Sequence, residues 1–188
     1  ERYTEALPIL KERAEAEDAP EEDRERYVDV LLAAERYEEA LPGLRLRADR
    51  SREDELRLLH VLQALNQRDE VLDVLKQRAE APEGTWDDRF VYAETLLGLE
   101  RQRDALIQYE RIDQMRPDDP RVLKRLVEVR SWTGKPEAAL GPARKLLAQP
   151  FDEDDLGARR ERATIAFLYG EALAALQRER EARAAFVQ

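Results

Sequence analysis

The chain has 188 residues, 39% of them charged and only 6% aromatic, and its 42 acidic side chains against 32 basic ones leave a net charge of −10. Because the basic residues are scattered among acids, no cationic stripe is available for a phosphate backbone, which argues against nucleic acid as a partner. With no cysteine, disulfides, thiolate metal sites and cysteine nucleophiles are excluded, and no apolar run reaches the roughly 18 residues of a membrane span.

Glu-Arg-Tyr-Thr-Glu-Ala-Leu-Pro-Ile-Leu at 1–10 returns as Glu-Arg-Tyr-Glu-Glu-Ala-Leu-Pro-Gly-Leu at 35–44, an offset of 34 residues. Such a period marks small units that bury their apolar faces only against one another. The central position recurs as Ala6, Ala40, Val71, Ala105, Ala139 and Ala182, at spacings of 34, 31, 34, 34 and 43. One helical turn later stand Leu10, Leu44, Leu75, Tyr109, Ala143 and Phe186, so each copy contains an amphipathic helix. Before it, from the second copy on, the pairs Tyr27-Val28, Leu58-Leu59, Tyr92-Ala93, Leu126-Val127 and Tyr169-Gly170 start an i, i+1, i+4 pattern that marks another helix.

In chain order, residues 1–16 are expected to form the second helix of a repeat whose first helix lies outside this sequence. Helix pairs are then expected over 21–48, 52–80, 86–117, 120–148 and 158–188, as one solenoid domain belonging to a longer chain. Pro8 and Pro42 point to a late helix start or a slight kink. Ser51 with Asp54 has the pattern of a capping box, Thr85 caps a helix opened by Trp86, and Asp119 caps one opened by Pro120. The short third interval predicts a shortened connection between copies. The long last interval assigns most of its nine-residue excess to 149–157, an acidic loop leading into a helix N-terminus.

The repeat resembles the tetratricopeptide repeat (TPR) family most closely in the fourth copy, through Tyr92-Ala93, Leu96, Ala105, Tyr109 and Pro117. It departs from that family where a tryptophan is usual early in the first helix, here Arg24, Glu55, Arg89, Leu123 or Ala166. The resemblance implies an all-α fold: a right-handed superhelical solenoid of antiparallel helix pairs, about five full repeats plus one half repeat. It also implies that the first helices line a concave groove for a protein partner. Copy-to-copy matching puts Arg26, Asp29, Arg57, His60, Phe90 and Glu94 on that face, followed by Lys124, Arg125, Glu128, Phe167 and Glu171. Chaperone-tail TPR proteins clamp a terminal carboxylate with paired asparagines. Asp29, His60, Glu94, Glu128 and Glu171 occupy those places here and argue against that use.

Enzyme signatures are missing: there is no phosphate loop or nucleophile elbow, and the single histidine cannot build a metal site or a triad by itself. The expected role is therefore a non-catalytic interaction scaffold without cofactor or metal, prone to weak end-to-end self-association. Trp132 has two readings. It could pack across its turn onto the next repeat. Alternatively, Ser131-Trp132-Thr133-Gly134-Lys135 resembles a turn in periplasmic TPR segments of bacterial exopolysaccharide exporters of the Pel, cellulose and poly-N-acetylglucosamine type. That resemblance implies a periplasmic scaffold in biofilm polymer export, whose partner is a polysaccharide-modifying enzyme such as a deacetylase or hydrolase. The alternatives are a cytoplasmic adaptor or co-chaperone for peptide segments, and direct polysaccharide binding.

Overall fold

The computed structural model describes residues 2–48 and 51–186, and side chains from Ala6 onward. The side chains of the opening motif before Ala6, and the expected ends at Glu1 and Gln188, lie outside the described residues. Among the described residues there are eleven α-helices and no strand. They are α1 (Arg2–Glu15), α2 (Glu21–Ala33), α3 (Tyr37–Arg47), α4 (Arg52–Ala64), α5 (Arg68–Glu80), α6 (Trp86–Gly98), α7 (Gln102–Met115), α8 (Pro120–Trp132), α9 (Pro136–Leu147), α10 (Leu156–Ala175) and α11 (Glu179–Phe186). The chain divides into two compact units, residues 1–74 and 75–188, with the boundary inside α5.

Within the first unit α1 packs on α2, α2 on α3 and α3 on α4; Leu31 and Leu44 are fully buried there. Within the second unit each helix from α6 to α11 packs on the next, and α8 also touches α10. Its core holds Ala93, Leu96, Ala105 and Tyr109 without exposure. The small residues lie where two helix axes approach closely and the large ones fill the space one turn away. Gly170 shows the same logic at its limit, because a Cβ there would meet the Phe186 ring at 2.5 Å.

Helix starts follow local chemistry. Thr85 and Asp88 form a reciprocal capping box, and Ser51 Oγ accepts from the Asp54 amide. Asp119 accepts from the Arg121 amide with Pro120 at the first position, while Asp155 accepts from the Gly157 amide to open α10.

Helix ends repeat as backbone geometry. After α2, α4, α6, α8 and α10 the chain passes through a left-handed residue: Glu35 (φ 56°), Asn66 (56°), Glu100 (59°), Gly134 (72°) and Gln177 (59°). The following amide then donates back to Leu31, Leu62, Leu96, Arg130 or Leu173. This cap satisfies a last-turn carbonyl and reverses the chain for the second helix. Side chains other than glycine are strained there by about 1 kcal/mol. Glu100→Gly is therefore expected to stabilise and Gly134→Ala to destabilise, each by about 1 kcal/mol, as opposite shifts in urea midpoint at unchanged slope. Equal midpoints for both variants would refute this assignment of strain.

Three local expectations are corrected. Pro42 is the sixth residue of α3 and Pro8 the seventh of α1, so of the late start or slight kink expected of them the late start does not occur. Pro142 lies similarly deep in α9; it cannot bond the Ala138 carbonyl, which accepts instead from Arg130 Nη1 at 2.9 Å. The short third interval comes mainly from α3, which has 11 residues against 14 in α7, and not from the connection. Most of the excess before the last copy is helical and not in the 149–157 loop: α10 begins at Leu156, close to the expected start, and has 20 residues against 13 in α8.

Candidate functional site

The eleven side chains assigned to the first-helix face fall into separate groups. In the first unit Arg26 pairs with Glu22 at 3.2 Å along α2. Asp29 lies 3.5 Å from both Arg57 and Arg47, and Arg57 also meets Glu53 at 2.6 Å. Arg47 reaches the buried Asp54 at 3.0 Å, so this ionic cluster ties α2 and α3 to the N-terminal turn of α4. His60 is exposed and stands edge-on to the Tyr37 ring with centroids 5.9 Å apart.

In the second unit Glu94, Arg125 and Glu128 are brought together. Arg125 donates to both Glu94 oxygens, from Nε at 2.8 Å and Nη2 at 2.5 Å, and from Nη1 to Glu128 at 2.8 Å. The Tyr109 hydroxyl donates to the same Glu94 oxygen that Arg125 Nε reaches. Burial and then the Glu94 hydrogen bond push the Tyr109 phenol far above its ordinary range. Burial opposes the charge on Arg125, but its bonds to Glu94 and Glu128 outweigh that and hold the guanidinium protonated. The result joins α6, α7 and α8 in one rigid polar unit. Sequence reading put the three charged residues on one face but missed Tyr109, which it took only as a core aromatic.

Phe90 packs edge-on against Trp86 and Tyr109, with centroids 6.5 and 5.7 Å away. Lys124 pairs with Glu161 at 2.8 Å. Phe167 is 53% exposed and leans on Phe186, and Glu171 is exposed beside it on α10. Arg89, at a place where the TPR resemblance leads one to expect tryptophan, donates to the Ala79 carbonyl at 2.7 Å and to the buried Gln108 at 3.0 Å. Trp132, at the C-terminal end of α8, is 58% exposed.

Three of the eleven residues, Phe90, Lys124 and Arg125, also line a cleft of about 390 Å³ in the second unit. Its far wall is Gln149–Phe151 and the extra N-terminal turns of α10, including Glu161 and Arg162. The sequence signal for this wall was the long last interval, which gave its place but not its fold. Asp152 and Asp155 accept backbone amides of the same turn, from Asp154 at 2.9 Å and Gly157 at 2.7 Å. Among the described residues no group of three or more His, Asp or Glu could hold a metal, and no helix is long and apolar enough to cross a membrane.

No family model and no curated protein matches the chain. Solved structures do. MamA AMB-1 is 17% identical with a TM-score of 0.58, covering 87% of this chain and 92% of that chain. A crystal structure of MamA protein is 13% identical with a TM-score of 0.58, covering 97% and 89%. MamA 41-end from Desulfovibrio magneticus RS-1 is 16% identical with a TM-score of 0.56, covering 87% and 89%. At these identities the likeness shows the fold alone: this chain has the all-helical, TPR-like repeat architecture of MamA.

Proposed function

We propose that the chain is a non-catalytic scaffold that holds a protein partner against the exposed face of its first helices. The observation that carries this reading is a register. Leu56, Phe90 and Phe167 all stand two residues before the leading Leu58, Tyr92 and Tyr169 of their helices, and Leu56 and Phe167 remain 50% and 53% exposed. Single exposed apolar side chains are ordinary, but recurrence at one position of a repeat supports a surface that meets a partner. The polar surround is Arg26, Asp29, Arg57 and His60 in the first unit, and Glu94, Lys124, Arg125, Glu128 and Glu171 in the second. Because many of these are already held by ion pairs, docking would cost little further side-chain order. Capture of a partner from source-cell extracts is expected to fail with Leu56→Ser and Phe167→Ser combined, while circular dichroism stays unchanged. Undiminished capture would move the binding surface off this face.

A finer reading places the scaffold in periplasmic exopolysaccharide export, with a polysaccharide-modifying enzyme as its partner. What favours it is Trp132, whose indole is exposed within the exporter-like turn and available for recognition. Trp132→Ala should then release a deacetylase or hydrolase from the captured material. Recovery of cytosolic proteins only would end this reading in favour of a cytoplasmic adaptor.

A further inference from the structure

The cleft between α8 and α10 has a chemistry of its own. It is walled by a feature the other repeats lack, the extra turns of α10 and the Gln149–Phe151 strip. In a protein of net charge −10, its lining carries Arg121, Lys124, Arg125 and Arg162 against a single acid, Glu161. These cations are not equivalent. Arg125 is already committed to Glu94 and Glu128, and Lys124 shares an exposed pair with Glu161 that a competing carboxylate can replace at small cost.

Arg121 and Arg162 differ from both. The Arg162 guanidinium lies over the Phe151 ring at 4.4 Å, and among the described residues it makes no ion pair. Arg121 lies over the Trp86 ring at 4.5 Å, with its Nε 3.5 Å from Asp119 as a loose contact. An arginine stacked on an aromatic face is ordered by that contact, while its in-plane N–H groups still point outward as donors. Two forks held this way are preorganised for carboxylates, which they bind through paired charge-assisted hydrogen bonds. The same lining offers apolar surface from Phe90, Leu146, Leu147 and Ile165.

We propose that this cleft takes an extended protein segment in which aspartate or glutamate alternates with apolar residues. The carboxylates accept from Arg121 and Arg162, and the apolar side chains, which point to the opposite face of an extended chain, enter the Leu147–Ile165 floor. This rests on the scaffold reading and names the chemistry of one of its partners' segments.

The test is fluorescence anisotropy with a short labelled peptide of alternating aspartate and leucine, beside serine–leucine and aspartate–serine peptides. The aspartate–leucine peptide is expected to bind, and to bind about tenfold more weakly when Arg162 is replaced by glutamine. Arg162→Gln removes no ion pair and should leave the fold intact, and Arg121→Gln provides an independent second variant. Both control peptides should also bind about tenfold more weakly than the mixed one. Equal binding of the aspartate–serine peptide would reduce the cleft to a general anion site and overturn the proposal. So would no binding at all, or binding indifferent to both arginine variants. If the peptide fails while partner capture still depends on Leu56 and Phe167, only the cleft assignment falls; if capture fails too, the scaffold reading falls with it.

Discussion

Tyr109→Ala is expected to lower the stability of the second unit by about 3–5 kcal/mol, the range for removing a large buried aromatic. Tyr109 heads the largest side chains with no exposure, its ring meets Phe90 edge-on, and its hydroxyl is a donor to Glu94. Truncation therefore opens a cavity and withdraws a hydrogen bond from a carboxylate at once. Tyr109→Phe separates the two losses. It keeps the ring and should cost about 1.5–3 kcal/mol, the range for a hydrogen bond to a charged group.

The phenylalanine variant also predicts a pH effect. The folded state holds the Tyr109 phenol protonated well above its ordinary range, so its contribution is complete below the unfolded value of about 10. Above that pH the unfolded chain loses the proton first, and stability falls as pH rises. Tyr109→Phe should remove this part of the alkaline decline in urea titrations, although it is less stable at neutral pH. An alkaline limb identical in both proteins would mean that the phenol does not carry it.

Arg125→Met should be the most damaging change on the charged face, at about 2 kcal/mol. Breaking a fully buried ion pair by removing one partner costs about 3–5 kcal/mol. Here about a third of the Arg125 and Glu94 side chains stays solvated, which softens the loss, while the buried Glu128 would be left without its cation. Lys124→Met, which removes only the exposed pair with Glu161, should cost no more than about 1 kcal/mol. Arg125→Lys is not expected to rescue fully, because an ammonium cannot reproduce the fork across both Glu94 oxygens. A cycle with Glu94→Gln should show coupling of about 1 kcal/mol or more. If Arg125→Met were as mild as Lys124→Met, the three-helix polar network would not be a structural unit.

Helix positions were legible because they are set by short-range chemistry. Thr85 with Asp88 and Asp119 with Pro120 act within one turn of chain, so the residue types alone mark where α6 and α8 begin. The repeat register was legible for a related reason: Ala93 and Ala105 are small where their helices cross, and a small residue returns at one or both of these positions in every copy but the third, which has Leu59 and Val71. The left-handed caps were harder to see. Only Asn66 and Gly134 among the five belong to types that favour the conformation, so Glu35, Glu100 and Gln177 are recognised by register and not by identity.

What the amino-acid sequence determined by itself was therefore the all-helical repeat, its phase and most helix ends, since these depend on neighbours within a few residues. The tertiary structure alone decided which charges are bound to each other from one helix to another. Arg125 meets Glu94 across 31 residues and Arg45 meets Glu70 across 25, separations that carry no local pattern. It also decided that α10 runs to 20 residues from Leu156, and that Phe151 lies beneath Arg162 in the cleft. Side-chain pairing depends on which helices the packing brings together, and the same scattered charges are compatible with many pairings until the backbone selects one.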